Sequence, residues 1–419
     1  MGGTESLVNT TELSQPAHLP TAREPAGATR LPRRVVLGFL LLISFGTGIV
    51  LSILGPTVPA IASRLGVPET ALGVLFTATF LMATLATATS GALVNRIGTR
   101  ALIPIGLLAM ALGLLDEGTA AALPFVALGA VLAGAGTGII NVCVNAAAAR
   151  LYPARRSSVL TWLNICFGIG AFLTPLLVGF SLTRLGSYTA VYVAGAVVLA
   201  VPILPIIRGL PASSTEADNS PIERSSVRAM LRESNMRLLI ALATVYLGAE
   251  IGFGGWVVSI VAAMTHLPPA HLTLTASAFW ICLALGGVPT IFLLQRGISS
   301  RRLMALGALS AAVEFILLLI VGGSAPLAIA CCALIGLSFS PILPLAAAMA
   351  VSAGEADRSD GMRIAALFTV GQIGAAALPA LQGMLLGAGP VPALWLSVAA
   401  ALTMAVLAAA VRTNAHTTG

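Results

Sequence analysis

The chain has 419 residues, of which 58% are hydrophobic and 9% are charged, and its mean hydropathy is +0.99. Soluble globular proteins carry about 25% charged residues, so this composition excludes a water-soluble globular domain. The formal net charge is +7, and arginine supplies it without any lysine. A chain without lysine has neither a Walker A phosphate loop nor a Schiff-base lysine, which argues against direct ATP hydrolysis.

Apolar stretches long enough to cross a bilayer, about 20 residues each, recur along nearly the whole chain. Strands of transmembrane barrels are about 10 residues long and alternate polar with apolar residues, so helices are the structure that fits. The first half is predicted to contain helices at residues 35–62, 70–93, 99–115, 120–148, 157–182 and 188–207. The second half is predicted to contain helices at residues 237–263, 272–294, 302–321, 326–350, 361–386 and 391–411. The predicted fold class is therefore an all-α membrane protein of about twelve transmembrane helices.

Arginines lie almost entirely on one side of the predicted bundle. With the N-terminus inside, Arg64 and Arg184 are placed outside. The inner loops then hold Arg96, Arg100, Arg150, Arg155, Arg156, Arg208, Arg224, Arg228, Arg232, Arg237, Arg296, Arg301, Arg302, Arg358 and Arg363. Because cytoplasmic loops are enriched in basic residues, we predict a multi-pass protein of the plasma (inner) membrane with both termini cytoplasmic. This placement explains the basic charge without a nucleic-acid partner, and none is expected.

The longest polar interruption divides the chain evenly. We predict the following organisation: a disordered cytoplasmic tail at residues 1–33, a six-helix half at 34–208, a cytoplasmic linker at 209–236, a second six-helix half at 237–411 and a cytoplasmic tail at 412–419. The two halves resemble each other in their fifth helices. Ile169, Gly170, Ala171, Pro175, Leu177 and Gly179 recur 204 residues later as Ile373, Gly374, Ala375, Pro379, Leu381 and Gly383. Parallel six-helix repeats are a transporter architecture, with the binding site at the midplane between the halves.

The loop after the second helix has a distinctive spacing of Gly91, Asn95, Arg96, Gly98 and Arg100. This spacing resembles the signature of the major facilitator superfamily, in which an acidic residue stands where this chain has Asn95. Ordinary basic inner loops would explain the two arginines but not the glycine spacing together with the repeat. The resemblance implies alternating access, with these residues as a gating loop that latches the inner ends of the helices in one state.

Helices four, five and seven resemble the fucose permease branch of that superfamily more narrowly, a branch that moves hexoses. The resemblance rests on Tyr246 to Trp256, with Glu250 among glycines, and on Asn164 to Pro175. That branch carries acidic residues in helices one and four that serve proton coupling. Here helix one has no acidic residue, and Asn141 stands in place of the glutamate of helix four.

One carboxylate in the predicted membrane region is assigned a role. A charged side chain at mid-bilayer costs about 2.5–3.5 kcal/mol on insertion scales, so its presence calls for a reason. Glu250 is predicted to accept a hydrogen bond from the substrate, to carry a proton, or both, while a purely structural carboxyl is the alternative. Glu314, in the peripheral ninth helix, is expected to be neutral or locally paired.

Uncharged polar residues complete the predicted binding site. Asn141 and Asn145 are four residues apart and so share one face of helix four. With Asn164 and Gln372 they are predicted to line the cavity, because neutral amides match sugar hydroxyls without a counter-charge. Hydrogen bonding between packed helices is the alternative for these amides. Trp256 is predicted to offer a flat face to a sugar ring, with interfacial anchoring as its alternative.

These features predict a secondary active transporter that moves a small polar solute by alternating access, with a sugar as the leading candidate. A drug or natural-product exporter of the same superfamily and a non-transporting membrane sensor are the alternatives. The sequence shows no paired catalytic carboxylates, Ser/His arrangement or metal-ligand cluster, so no enzyme activity, metal or cofactor is expected. The expected partners are a small-molecule substrate, the lipid bilayer and protons, and the chain is expected to be a monomer.

Overall fold

The computed structural model describes residues 31–210, 232–265, 267–321, 323–351 and 358–412. Within these ranges it contains twelve helices long and apolar enough to cross a membrane, and no strand. Numbered α1 to α12, they are Arg33–Leu65, Glu69–Gly91, Arg96–Thr119, Leu123–Leu151, Ser158–Leu185, Thr189–Gly209, Ser234–Met264, Pro269–Gln295, Ser300–Val321, Ala325–Ala350, Arg363–Leu386 and Pro390–Ala410. The predicted fold class and helix count are confirmed. Most of the predicted tails and linker, at residues 1–30, 211–231 and 413–419, lies outside the described residues.

Small residues bring the helices of each half into close contact. In the first half, a Cβ added to Gly170 of α5 would overlap the carbonyl oxygen of Phe45 in α1. In the second half, a Cβ added to Gly374 of α11 would overlap the carbonyl oxygen of Thr244 in α7. Such close backbone approach is how helices associate in a membrane, where no hydrophobic effect drives them together. Because Gly170 and Gly374 are related by the 204-residue offset, the sequence repeat corresponds to a repeated helix contact.

Aromatic side chains fill the interior of the last six helices. Phe253 of α7, Phe279 of α8, Phe315 of α9 and Phe339 of α10 pack edge to face, with ring centroids 4.9 to 6.3 Å apart. Edge-to-face pairs of this kind are worth about 0.5–1.5 kcal/mol each beyond the area they bury. These four helices therefore form one well-packed unit.

The two halves are joined towards one end of the bundle. The side on which α1 begins carries most of the arginines and is called the arginine-rich side; the other is the arginine-poor side. Gly55 of α1 meets the backbone of Gly255 in α7, where an added Cβ would lie 2.7 Å from the Gly255 carbonyl oxygen. The Thr77 hydroxyl of α2 donates to the Ala376 carbonyl of α11 at 2.9 Å. These contacts lie between the midplane and the arginine-poor side, so the two halves meet there.

The arginine-rich ends are tied within each half. In the first half, Arg100 Nε donates to the Ile207 carbonyl oxygen at 2.6 Å, which links α3 to α6. In the second half, Arg363 of α11 makes a bidentate ion pair with Glu233, next to the start of α7, with N–O distances of 2.8 and 2.5 Å. Bidentate pairing holds a guanidinium in a fixed geometry. Arg100, Arg363 and Glu233 thus each bond to a partner within their own half.

Candidate functional site

The candidate site is formed by polar side chains beside the junction of the halves, on its arginine-rich side. On this side α5 is close to α8 at Gly168, where an added Cβ would lie 3.3 Å from the Cβ of Ala284. Asn164 lies one helical turn further along α5, on the same face, and its side chain is exposed. The first half therefore holds an exposed amide beside the junction.

Gln372 occupies the corresponding place in the second half. It lies one turn along α11 from Ala376, whose carbonyl accepts the hydrogen bond from Thr77 of α2. The side chain is half-buried, and its Oε1 atom is buried without a hydrogen-bond partner among the residues that the structure describes. A buried acceptor without a donor costs about 1–3 kcal/mol. Gln372 and Asn164 therefore flank the junction from opposite halves, and the Gln372 acceptor is left open by every described part of the chain.

Asn141 and Asn145 lie on α4, on the face that packs against α2 through Gly134 and Gly138. Both asparagine side chains are exposed at the arginine-rich end of that face. Asn145 Nδ2 donates to the Asn141 backbone carbonyl at 2.7 Å. The contact orients the Asn145 amide and leaves its oxygen directed away from this bond.

Glu250 lies in the middle of α7, half-buried, and has a tyrosine partner. The hydroxyl of Tyr246, one helical turn away, lies beside its carboxyl. The Tyr246 ring packs against Phe339 of α10, at 5.6 Å between centroids. Gly254, on the same face one turn further, is close to the Trp280 ring of α8. Glu250 therefore lies between α7, α8 and α10, and its hydroxyl partner is a residue to which the sequence analysis assigned no role.

Trp256 is enclosed at the junction and presents no ring face to a solute in this conformation. Its side chain is fully buried, and Nε1 donates to the Pro379 carbonyl oxygen of α11 at 2.7 Å. The ring packs against Phe76 of α2 at 5.4 Å between centroids. The absence of a side chain at Gly383 makes room for the indole. The predicted stacking surface is covered here because α2 and α11 close over it.

The gating loop breaks the helical path between α2 and α3. Gly98 has φ 78° and ψ 161°, a conformation that favours glycine, and so the backbone turns there. Gly91 and Arg96 are exposed, whereas Arg100 is half-buried and bonded to α6. The side chain of Asn95 lies outside the described residues. The loop thus joins three helices of the first half.

Glu117 is a buried carboxyl that the sequence analysis missed. It is 3% exposed in the last turn of α3, beyond the predicted end of that helix at residue 115. The helix continues because the Arg64 guanidinium of α1 donates to the carbonyl oxygens of Gly118 at 2.8 Å and Ala120 at 2.6 Å. This contact joins residues distant in sequence, so local patterning gave no sign of it.

Glu314, assigned to a peripheral helix, is held by local contacts. Ser338 of α10 donates to its Oε1 atom at 2.8 Å, and Ser310 donates to Ser338 at 2.8 Å. No cluster of three or more His, Cys, Asp or Glu side chains that could hold a metal occurs among the residues the structure describes.

Comparison with known proteins places this geometry in a family. A family model described as Major Facilitator Superfamily matches residues 40–259. The chain belongs to the major facilitator superfamily. No curated protein matches the sequence at a significant level. As a superfamily member with twelve apolar helices, the chain is a multi-pass membrane transporter, which agrees with the expectation that it is not an enzyme.

Several solved structures share the fold. A crystal structure of the nucleoside transporter NupG has a TM-score of 0.74 and 14% identity, over 89% of this chain and 98% of that one. A D-xylose-proton symporter has a TM-score of 0.74 and 12% identity, over 89% and 96%. A POT family transporter in complex with 5-aminolevulinic acid has a TM-score of 0.72 and 14% identity, over 88% and 94%. At these identities the likeness establishes the fold and leaves the substrate open.

Proposed function

We propose that this superfamily member is a secondary active transporter of a small neutral polar solute, with a sugar as the leading candidate. It works by rocking the first six helices against the last six. The similar fold of a D-xylose-proton symporter supports a sugar, although similar folds also occur in nucleoside and POT family transporters. The resemblance of α5 and α7 to the fucose permease branch supports a hexose. The placement of the arginines supports an inner-membrane protein whose arginine-rich side and termini face the cytoplasm.

The observation that carries the proposal is the pair of amides beside the junction. Asn164 is exposed on the first half, and Gln372 on the second half has a buried Oε1 atom without a partner among the described residues. A solute hydroxyl that donates to Gln372 would satisfy that acceptor, while the asparagines offer donors and acceptors from the other half. A solute bound by both halves would favour conformations in which they approach each other, which couples binding to access.

Glu250 is proposed as the group that links transport to protons. It is a membrane carboxyl near the centre of α7, beside the hydroxyl of Tyr246. A carboxyl in this position can bind and release a proton as the surroundings of α7, α8 and α10 change between access states. The Glu250→Gln variant keeps the shape of the side chain but cannot carry a proton.

Counterflow in proteoliposomes, with labelled hexoses, pentoses and sugar alcohols, tests the substrate. Counterflow needs no ion gradient, so it detects importers, exporters and uniporters alike. We expect accumulation of one labelled sugar. If the folded, inserted protein accumulates none of the labelled sugars, the sugar assignment is rejected and a drug or natural-product exporter is favoured.

Two variants localise the site. Gln372→Leu removes the unpartnered acceptor. It is expected to raise the solute concentration that gives half-maximal counterflow by about 2- to 13-fold, the equivalent of one hydrogen bond of 0.5–1.5 kcal/mol. Gln295→Leu is the matched control, because Gln295 is an exposed glutamine at the end of α8, away from the junction. Equal effects of the two variants would show that Gln372 does not contact the solute.

A further inference from the structure

Two hydrogen bonds between the halves are related by the internal repeat. The Thr77 hydroxyl of α2 donates to the Ala376 carbonyl of α11 at 2.9 Å. The Ser277 hydroxyl of α8 donates to the Phe172 carbonyl of α5 at 3.2 Å. Thr77 and Ser277 are 200 residues apart, and Phe172 and Ala376 are 204 apart, the offset found in the sequence repeat. The second helix of each half therefore donates to the fifth helix of the other half.

Contacts of small residues lie beside both bonds, at equivalent positions of α2 and α8 but with partners on α5 and α11 that are 201 residues apart. Gly73, one turn before Thr77, is close to α11, where an added Cβ would lie 3.6 Å from the Cα of Ala380. Thr273, 200 residues after Gly73 and one turn before Ser277, contacts Gly179 of α5. Both junctions thus repeat a small-residue contact followed one turn later by a hydroxyl-to-carbonyl hydrogen bond.

Most other hydroxyls described on these two helices bond within their own helix, and Thr87 bonds the Gly138 carbonyl of α4 in the same half. Thr84 of α2 donates to the Phe80 carbonyl at 2.7 Å, and Thr290 of α8 donates to the Gly286 carbonyl at 2.7 Å. Bonding to the carbonyl four residues back is the usual arrangement for serine and threonine in helices. Thr77 and Ser277 instead direct their hydroxyls across the boundary between the halves. Two departures from the local arrangement, at equivalent positions, indicate a shared role.

We propose that Thr77 and Ser277 are a matched pair of positioning residues, the hydroxyl latches, that hold the arginine-poor side closed and set the balance between the two access states. The inference rests on the alternating access of the proposed function. Rocking the halves apart on this side moves α2 away from α11 and α8 away from α5, so both bonds break in the same step. Ala376 and Phe172 lie within helices, where their carbonyls also accept backbone bonds, so no buried carbonyl is orphaned when the latches open.

A thiol accessibility assay tests the latches without any solute. The background carries serine in place of the five native cysteines, Cys143, Cys166, Cys282, Cys331 and Cys332. Thr273→Cys is the reporter, because Thr273 is 1% exposed at the closed junction. Ala121→Cys, in the exposed loop between α3 and α4, gives the reference labelling rate. The readout is the rate of reaction with a membrane-impermeant maleimide added from the arginine-poor side.

Loss of either latch is expected to raise the reporter's labelling rate. Thr77→Val and Ser277→Ala should each raise it by about 2- to 13-fold, the equivalent of one hydrogen bond of 0.5–1.5 kcal/mol. The double variant should show the product of the two increases, and Thr77→Ser should restore the original rate. The matched controls Thr84→Val and Thr290→Val, which lose only a bond within their own helix, should leave it unchanged.

The outcomes separate the latches from the proposed function. Unchanged labelling in both single variants and in the double variant, or equal changes in the controls, would overturn the latches. Sugar counterflow by the parent protein in that case would leave the proposed function standing. The latch variants could label faster while the parent protein accumulates no sugar in any counterflow assay. That result would support the latches and reject a sugar as the substrate.

Discussion

Replacing Gly55 by alanine places a methyl group where the two halves meet. The new Cβ would lie 2.7 Å from the Gly255 carbonyl oxygen, 3.0 Å from the Gly255 Cα atom and 3.1 Å from the Gly254 carbonyl oxygen. All three atoms belong to the α7 backbone, so no side chain can rotate away to make room. The clash is relieved only if α1 and α7 separate, which opens the arginine-poor side.

The size of the effect follows from the geometry. Overpacking by one methyl group costs about 1–3 kcal/mol when the surroundings cannot yield. The cost falls on the closed state alone, because the two helices are apart when this side is open. A difference of 1–3 kcal/mol between two states changes their ratio by about 5- to 150-fold. Gly55→Ala should therefore shift the population towards the open state without a matching loss of folding stability.

Gly170→Ala is the matched control, since its added Cβ would overlap the Phe45 carbonyl oxygen within the first half. Rocking of the halves cannot relieve that clash, so this variant should lower the temperature of thermal unfolding. Gly55→Ala should leave that temperature nearly unchanged and accelerate maleimide labelling of the Thr273→Cys reporter. If Gly55→Ala instead unfolded as readily as Gly170→Ala and labelling stayed slow, the halves would not separate at α1 and α7, and the reasoning would be refuted.

Three further substitutions have definite expected outcomes. Glu250→Gln should abolish accumulation driven by a pH gradient but retain counterflow. The control Glu314→Gln, at a carboxyl bonded to a serine, should retain both activities. Accumulation at the parent level in Glu250→Gln would show that Glu250 is not part of the proton pathway. Trp256→Phe loses a buried 2.7 Å hydrogen bond, so thermal unfolding should show about 1 kcal/mol lower stability; an unchanged transition would mean the bond contributes nothing net. Gln372→Asn shortens the side chain by one methylene and should raise the solute concentration that gives half-maximal counterflow. An unchanged concentration would show that the solute binds elsewhere.

The twelve helices could be predicted from sequence because lipid imposes a simple rule. Each span must be long, apolar and self-satisfied in its backbone hydrogen bonds, so hydropathy alone located the helices. The largest disagreement lies at the end of α3, which continues to Thr119 where a stop at residue 115 was predicted. The cause is Arg64, whose guanidinium bonds carbonyls at that helix end from 53 or more residues away. Periodicity within a window cannot detect a partner on another helix.

The side chains of the candidate site were harder to place. Composition and spacing located polar residues along each helix but not the direction in which a neighbouring helix lies. Trp256 shows the difficulty, because an indole among glycines fits both a sugar site and a closed junction. The deciding facts are the Pro379 carbonyl oxygen that accepts its Nε1 and the room left by Gly383. Both come from α11, more than a hundred residues away in the chain.

The contacts within each half differ in kind from the polar contacts between the halves. Within each half, helices meet through glycine contacts such as Gly170 on Phe45, and the second half adds a cluster of phenylalanines. Between the halves, the described polar contacts include the single hydrogen bonds from Thr77 and Ser277. Each is worth about 0.5–1.5 kcal/mol, so the pair is comparable with the few kcal/mol that separate interconverting states of a protein. A transporter must populate both access states, and two equivalent, modest bonds that add to the Gly55–Gly255 and Phe76–Trp256 contacts at the junction can shift the balance between those states.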